Sequence, residues 1–433
     1  MSGTRSDDIS PPSPPAGGDR LPHVYRVTKY DPADRDERGR YTGDASAESD
    51  RGPVEAAYLE TVAAFAEESG VDHLAVREPE FGSFPGAGPL AGVLPGGLAA
   101  FHDGATVSVR TGVALVRAML REAGLWCRLE VPGAFAAHVG WDQYLYLGSR
   151  HPCTSALARA RSLGLFPERL DASPYDFVPD DPDQVSRPAD DDFWARLRWL
   201  VAVHGTTLLE ETPAANTTRW HRLTRDTVDA VRAGLAPRAR LAVWTDPLTD
   251  VETALATLSD DGAVEILRED DDGRITGTVL DDPRPETVAT RLAGARAATV
   301  LPLALDGRRP LCTAVLPDGD GVLRARWQTD ATPGDRDWAF LRTLRRGQSV
   351  TGTVTDIANF GVTFVDIGGF TAMINLPELS RRPFAHPSDV VRVGQEITAR
   401  ILDVDMVRER VSLSLRPPRE APGRGGRSTS GSR

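Results

Sequence analysis

The spacing of apolar residues changes along the chain and divides it into regions. From about residue 53, helix-like segments that begin at Pro and end at Gly, such as PVEAAYLETVAAFAEESG (53–70), alternate with strand-like runs such as HLAVREPEF (73–81). The later run LWCRLEVPGAFAAHVGWDQYLYLG contains two strand patterns around a Pro-Gly turn, which indicates a hairpin. We therefore predict an α+β domain over residues 21–173.

A second region begins after an acidic, Pro-rich stretch that has neither helical nor strand periodicity. This stretch, PYDFVPDDPDQVSRPADDD (174–192), predicts a linker, which we place at residues 174–190. Beyond it, helical patterns such as FWARLRWLVAVHG alternate with apolar runs such as ARLAVW and LCTAVL. Because alternating helices and strands are typical of α/β folds, we predict an α/β domain over residues 191–335.

The last region contains almost only strand patterns. SVTGTVTDI, GVTFVDI, TAMIN, EITARILDVD and RVSLSL alternate apolar and polar residues, so each predicted strand has one apolar face. Five such strands within about 70 residues bury their apolar faces best when they close into a small barrel. The predicted fold is therefore multidomain, with α+β and α/β domains followed by a five-stranded antiparallel β-barrel over residues 341–416.

The two ends of the chain have the composition of disordered segments. Residues 1–20 are rich in Pro, Ser and Gly, and residues 417–433 form a basic Arg/Gly tail with one Arg-Gly-Gly step. The N-terminal stretch lacks the apolar core of a secretory signal. No apolar run reaches the roughly 20 residues that a membrane-spanning helix needs. We expect a cytoplasmic protein that makes no membrane contact.

Composition and charge remove several classes of function. The three cysteines, Cys127, Cys153 and Cys312, are far apart and form no CxxC pair, which argues against a disulfide framework and a structural zinc site. Lys29 is the single lysine, and its context excludes a Walker A phosphate loop. The chain carries a net charge of −12, yet residues 341–433 hold 14 arginines against 9 acidic residues. Such asymmetry indicates a nucleic-acid-facing end on an acidic body.

The acidic body contains no motif of a familiar catalytic class, such as HExxH or GxSxG. His138 and Asp142 lie in the segment HVGWDQYLYLG and could act as acid and base in a cleft. Packing of this segment in a domain core explains the same residues. Glu210 and Glu211 are adjacent. Because adjacent residues on a strand point to opposite faces, their carboxylates are not expected to act at one site. We predict no catalytic residue, no cofactor and no metal site.

The barrel sequence carries the pattern of a known family. It combines a Gly-x-Val-Thr opening, Phe-Gly, Val-Asp-Ile-Gly-Gly, Pro-Glu-Leu-Ser, Val-Gly-Gln and a Ser-Leu-Ser-Leu close. Over residues 347–416 it resembles the RNA-binding module repeated in ribosomal protein S1, an OB-fold that also occurs in polynucleotide phosphorylase and the large ribonucleases. The rest of the chain resembles uncharacterised bacterial proteins that carry the same C-terminal domain, and that resemblance implies no activity.

The resemblance implies an RNA-binding face on the barrel. It assigns base stacking to Phe360 and Phe364, a base-edge hydrogen bond to Asn375, an acidic position to Asp405 and a phosphate or stacking contact to Arg410. Exposed rings suit this role because every base has a π-face, so that single strands bind with little sequence preference.

The sequence departs from the family pattern at several positions. The usual Phe-Gly-x-Phe-Val reads FGVTFV (360–365), and one extra residue reverses the side-chain direction on a strand unless a bulge absorbs it. Phe364 therefore faces either RNA or the core. Ala372 replaces a Gly, and Asn375 stands where the family usually has His. Phe370, at a turn, is either a stray exposed ring or a supplementary platform.

Two arginines of the loop before the fourth barrel strand, Arg381 and Arg382, could reach a phosphate backbone or could be ordinary solvated charges. The same two readings apply to Arg392 beside that loop.

We expect a non-enzymatic RNA-binding protein that holds single-stranded mRNA or rRNA and acts in translation or on the ribosome. Its acidic body is expected to contact a protein partner. Two alternatives stay open: an acidic inhibitor that masks a basic partner such as a nuclease toxin, and an RNA-directed enzyme with a site in residues 53–330.

Overall fold

The computed structural model describes residues 21–38, 40–43, 51–82, 93, 101–140, 144–175, 187–258, 262–302, 309–327 and 329–417. The predicted disordered ends, apart from Pro417, and residues 176–186 of the predicted linker lie outside these ranges. The described residues form two open seven-stranded sheets followed by a closed five-stranded barrel. This succession confirms the predicted fold class. None of the described helices is both long and apolar enough to cross a membrane.

The first sheet has the strand order β3-β2-β4-β5-β6-β1-β7, and its neighbouring strands are antiparallel. Three helices pack on one face of this sheet and share its core. The first of them begins with Pro at its first turn, as its sequence predicts. In chain order the elements are β1 (His23–Thr28), α1 (Pro53–Glu68), β2 (His73–Phe81), β3 (Thr106–Ser108), α2 (Val109–Leu120), β4 (Leu125–Val131), β5 (Phe135–Val139), β6 (Leu145–Ser149), α3 (Thr154–Ser162) and β7 (Phe166–Leu170).

The second sheet has the order β13-β11-β12-β9-β8-β10-β14. Its helices and strands alternate as predicted, but all six strand pairs are antiparallel, and two of them, β8 with β9 and β11 with β12, are hairpins. The elements are α4 (Asp191–His204), β8 (Thr207–Ala214), β9 (Thr217–Leu223), α5 (Val228–Gly234), β10 (Arg240–Thr245), α6 (Val251–Ala256), β11 (Val264–Glu269), β12 (Ile275–Leu280), α7 (Pro285–Leu292), β13 (Ala297–Pro302) and β14 (Cys312–Val315).

The barrel closes in the order β15-β16-β17-β19-β18. Its pairs are antiparallel except for β17 and β19, which run parallel with Met373 opposite Ser412. The apolar faces of the five strands meet in one interior cluster, as the alternation predicts. The elements are α8 (Pro333–Thr343), β15 (Ser349–Ile357), β16 (Val362–Asp366), β17 (Thr371–Asn375), α9 (Leu376–Leu379), β18 (Glu396–Asp405) and β19 (Arg410–Ser414).

Helix α8 joins the second sheet to the barrel and covers one end of the barrel. Leu341 and Leu344, at the end of the helix, belong to the barrel's core cluster. Phe340 stacks on Phe370 with 6.0 Å between ring centroids, and Phe370 is only 7% exposed. The expectation that Phe370 is an exposed ring is therefore wrong, because a helix outside the strand pattern covers it.

The turn between β18 and β19 packs against helix α4 of the second sheet. The Glu409 carboxylate lies 2.7 Å from Arg196 Nε and 3.7 Å from Arg187 Nη1. Arg196 Nη1 also donates to the Val407 carbonyl oxygen at 3.4 Å. Arg187 is fully buried, with its guanidinium 5.1 Å from the centre of the Trp338 ring. The guanidinium groups of Arg187 and Arg196 thus hold the turn between β18 and β19 of the barrel.

Replacing Glu409 with Gln is expected to flatten the pH dependence of stability. Burial raises the pKa of the Glu409 carboxyl from 4.5 to about 7, although Arg196 and Arg187 oppose the shift. Between these values the folded chain retains a proton that the unfolded chain releases, so stability falls as pH rises from about 4.5 to 7. Thermal unfolding of both proteins from pH 4.5 to 8 measures this. Parallel profiles would show that Glu409 does not contribute.

Candidate nucleic-acid interface

Phe360 lies at the tip of the loop between β15 and β16. The loop is closed by hydrogen bonds from Gly361 N to Ala358 O and from Ala358 N to Val362 O, both 2.9 Å long. Gly361 has a φ of +88°, a left-handed conformation that glycine adopts without strain. Phe360 is 78% exposed, so most of its surface is open to a stacking partner.

Phe364 lies on the outer face of β16. Its neighbours Thr363 and Val365 are buried, and Phe364 between them is half-buried, which is the alternation of a regular strand. The irregular pairing occurs instead on β15, where the register shifts between Val354 and Asp356. The question that the sequence left open is therefore answered: Phe364 points away from the barrel interior.

The register places polar and apolar side chains of β17 and β19 beside this ring. Met373 is directly opposite Phe364 on one side and opposite Ser412 on the other. Asn375 is exposed and lies opposite Val362. The outer face of these strands therefore combines one aromatic ring, a thioether and an exposed amide.

Two side chains of this surface were missed by sequence reasoning. Met373 could have been found from its position two residues before Asn375, because alternate residues of a strand share a face. Leu376, which is 43% exposed, follows Asn375 and lies against Gly361 at the base of the Phe360 loop. No pattern within the strands indicates this second contact, because it depends on how α9 folds back.

Arg410 begins β19, and the strand register places it opposite Asp405 of β18. The Asp405 carboxylate accepts hydrogen bonds from Val407 N at 3.1 Å, Arg408 N at 3.0 Å and Arg408 Nη1 at 3.1 Å. Burial acts to raise the pKa of Asp405, but the bonds from Arg408 outweigh it and lower the pKa below its ordinary value. Asp405 thus shapes the turn, whereas exposed Arg410 forms no ion pair with any residue the structure describes.

The other candidate arginines lie on the loop between α9 and β18, outside these strands. Arg381 Nη2 donates to the Pro417 carbonyl oxygen at 2.8 Å, so its guanidinium is directed at the chain leaving the barrel. Arg382 and Arg392 are exposed, and their side chains make no ion pair within the described part of the chain. The structure therefore places Phe364, Asn375 and Arg410 on three neighbouring strands, with Asn375 and Arg410 at opposite ends of the parallel pair β17 and β19, whereas the other candidate arginines lie on a loop.

The candidate acid and base of the first sheet do not form a described site. His138 is 3% exposed, with its ring centroid 4.3 Å from that of Trp126 and 4.0 Å from that of Tyr175. Burial, with a smaller contribution from Arg128, lowers the pKa of His138 to about 3, so the imidazole is neutral at ordinary pH. Asp142 lies outside the described residues.

The adjacent glutamates of β8 point to opposite faces, as predicted. Glu211 is buried and its carboxylate contacts His221 Nε2 at 2.8 Å and accepts a hydrogen bond from Ala236 N at 2.7 Å. Glu210 accepts a hydrogen bond from Trp244 Nε1 at 2.8 Å. Each carboxylate is thus engaged in a separate contact of the fold. Within the residues described, no cluster of three or more His, Cys, Asp or Glu could hold a metal ion.

Residues 343–416 match the family model of the S1 RNA binding domain. The matched residues include all five strands of the barrel and the exposed side chains on its outer face. The C-terminal part of the chain is therefore an S1 RNA-binding domain, which confirms the resemblance drawn from its sequence.

Several curated proteins are similar to this part of the chain. The small ribosomal subunit protein bS1 of Mycobacterium tuberculosis is 46% identical over 103 residues, which cover 24% of this chain and 21% of that protein. The bS1 protein of Neisseria meningitidis is 37% identical over 101 residues, covering 23% and 18% respectively. This chain therefore spans only about a fifth of the length of the relatives it matches. The solved alpha subunit of aIF2 from Pyrococcus abyssi is 25% identical over 18% of this chain and 30% of that chain, with a TM-score of 0.17.

Proposed function

We propose that the protein binds single-stranded RNA on the outer face of its barrel, with Phe360 and Phe364 as stacking platforms and Arg410 as a phosphate contact. The observation that carries this proposal is the 78% exposure of Phe360 on a domain of the S1 RNA-binding family. A large apolar ring held in water on a closed loop gains most when a flat apolar partner covers it, and a nucleobase is such a partner.

The charges on this face support a strand that runs across it. Arg410 has no intramolecular ion pair within the described residues, so a phosphate would not have to displace a carboxylate. The exposed Asn375 amide can donate to and accept from a base edge. Asp405 contributes indirectly, because its bonds to Arg408 fix the turn that presents Arg410.

A salt titration of RNA binding tests this proposal. The intact chain is expected to bind a labelled single-stranded oligoribonucleotide, with log K falling linearly as log salt rises. Arg410→Ala should weaken binding and reduce the slope by about 0.7, the contribution of one phosphate contact on a single strand. Arg291→Ala, which removes an exposed arginine from α7, should change neither. Absence of binding by the wild-type chain would contradict the proposal.

We further propose that the RNA is mRNA or rRNA, that the protein acts with bacterial ribosomes in the cytoplasm, and that its acidic body contacts a protein. The relatives named as ribosomal proteins support a role in translation. The comparisons provide no support for the inhibitor or enzyme alternatives. Cosedimentation with ribosomes in the presence of excess competing RNA tests whether the acidic body contributes a protein contact to ribosome binding. Complete release by the competitor would argue against a protein contact.

A further inference from the structure

A cavity lies between the barrel and the helix that precedes it. Its volume is about 430 Å³, within the usual range of small-molecule and cofactor sites. One wall comes from the end of α8 and the residues just after it, and the other from the end of β18 and the following turn. It is lined by Leu341, Arg342, Leu344, Arg345, Val404 and Met406.

The lining combines buried or half-buried apolar residues with two exposed arginines, and its open surface is more polar than apolar. Leu341 and Leu344 are buried, and Val404 and Met406 are half-buried. The Arg342 side chain is 55% exposed, and its guanidinium reaches Asp192 only at 4.0 Å. This combination suits a nucleotide, which presents an apolar base face and an anionic phosphate.

The second cationic group is held in position by the helix end. Arg345 Nη1 donates to the carbonyl oxygens of Arg342 at 2.6 Å and Leu344 at 2.9 Å. These bonds satisfy carbonyl groups that the end of α8 leaves without helical partners, and they fix the guanidinium before any ligand binds. A fixed cation loses less side-chain entropy when a phosphate binds.

The cavity lies at the hairpin of β18 and β19, which also carries Arg410 of the proposed RNA-binding face. Met406 directly follows Asp405, which is paired with Arg410. One side of this hairpin therefore presents Arg410, while Val404 and Met406 line the cavity. Leu341 and Arg342 precede residue 343, where the match to the family model begins. The cavity is thus built by four residues of the matched domain and by two residues of α8 that precede it.

We propose that this cavity receives one nucleotide of the bound RNA strand, beyond the nucleotides that contact Phe360, Phe364 and Arg410. The phosphate of this nucleotide lies at Arg342 and Arg345, and its base lies against the half-buried Val404 and Met406. This inference rests on the proposed function and extends the RNA track from the barrel onto α8.

The four methionines of the chain allow a direct test by methyl NMR of the intact protein. Met373 lies on the outer barrel face, Met406 lines the cavity and Met119 is buried in the first core. Single-stranded oligoribonucleotides of increasing length are titrated. We expect short oligomers to shift Met373 alone and longer ones to shift Met373 and Met406, with Met119 unchanged.

Binding of the same oligomers by a variant chain provides the second readout. Arg342→Ala should remove a gain in affinity of about tenfold that the wild type shows when the oligomer becomes long enough to reach the cavity. Binding of short oligomers should be unaffected. Arg336→Ala removes an exposed arginine of the same helix that does not line the cavity, and should retain the gain.

Each outcome separates this inference from the proposed function. Shifts of Met373 at every length without any shift of Met406 would overturn the inference and leave RNA binding on the barrel intact. A shift of Met406 by free AMP or UMP with Met373 unchanged would show a mononucleotide site, and would overturn the continuous track. Absence of RNA binding altogether would contradict both this inference and the proposed function.

Discussion

Phe360→Ala is expected to weaken the binding of single-stranded RNA by about five- to 150-fold, the equivalent of about 1–3 kcal/mol for one stacked base. The ring is 78% exposed, so its loss removes little packing within the barrel. The loop bonds between Ala358, Gly361 and Val362 involve only backbone atoms and are retained. The variant should therefore lose affinity without losing stability, a combination that separates a binding residue from a structural one.

Fluorescence anisotropy with a labelled oligoribonucleotide measures the affinity, and thermal unfolding measures the stability of the same samples. Phe360→Trp should retain binding, because an indole also stacks on a base. Val393→Ala is the matched control, because Val393 is another exposed apolar residue (62% exposed), lies on the loop before β18 and is not among the proposed RNA contacts. Equal affinities of Phe360→Ala and Val393→Ala would show that the Phe360 ring does not bind RNA.

The barrel could be predicted from the sequence in most of its detail because each strand has only one apolar face. The alternation in SVTGTVTDI, TAMIN and EITARILDVD fixes which side chains enter a closed interior, and β15, β17 and β18 have the bounds of these three segments. The same alternation decides the orientation of Phe364, because β16 is regular from Val362 to Asp366 and buries Thr363 and Val365. What the sequence left open was thus whether a bulge in this strand absorbs the extra residue of FGVTFV.

Features that depend on contacts between distant segments were not predictable. Phe370 looked exposed because it lies at a turn, and it is covered by Phe340 from a helix outside the strand pattern. The buried contact between Glu409 and Arg196 joins residues more than 200 positions apart, and no local periodicity encodes such a pair. The cavity beside Met406 arises from the same docking of α8, so a barrel pattern alone could not reveal it.

The body illustrates a second limit of local patterns. Alternating helices and strands predicted an α/β domain, yet every strand pair of this sheet is antiparallel, and four of the six pairs join strands that are not consecutive in the chain. Strand β9, TTRWHRL, has too many polar residues to be recognised by hydrophobicity, and it is positioned by pairing with β8. The position of β9 in the sheet could be assigned only from its pairing with β8.

Asp335→Ala is expected to destabilise the junction between the second sheet and the barrel by roughly 3–5 kcal/mol, because it leaves two buried backbone N–H groups unpaired at about 1–3 kcal/mol each and removes two hydroxyl contacts. The fully buried Asp335 carboxylate accepts hydrogen bonds from Thr313 N at 2.9 Å and Thr332 N at 3.0 Å, and from both threonine hydroxyls at 2.7 Å. It therefore fastens the first turn of α8 to the edge strand β14.

Hydrogen exchange measured along the chain distinguishes this local effect from global unfolding, since a chain with several cores need not unfold in one step. Exchange in β14 and α8 should accelerate by about 100-fold or more in Asp335→Ala, while the core amides of the first sheet stay protected. Arg336→Ala, the exposed neighbour on the same helix, should leave exchange unchanged. Because Phe360 and Arg410 lie on the barrel strands and their loop, short oligomers should still bind Asp335→Ala. Unchanged exchange in α8 would mean that barrel packing alone holds the helix, and that the carboxylate is not the fastening contact.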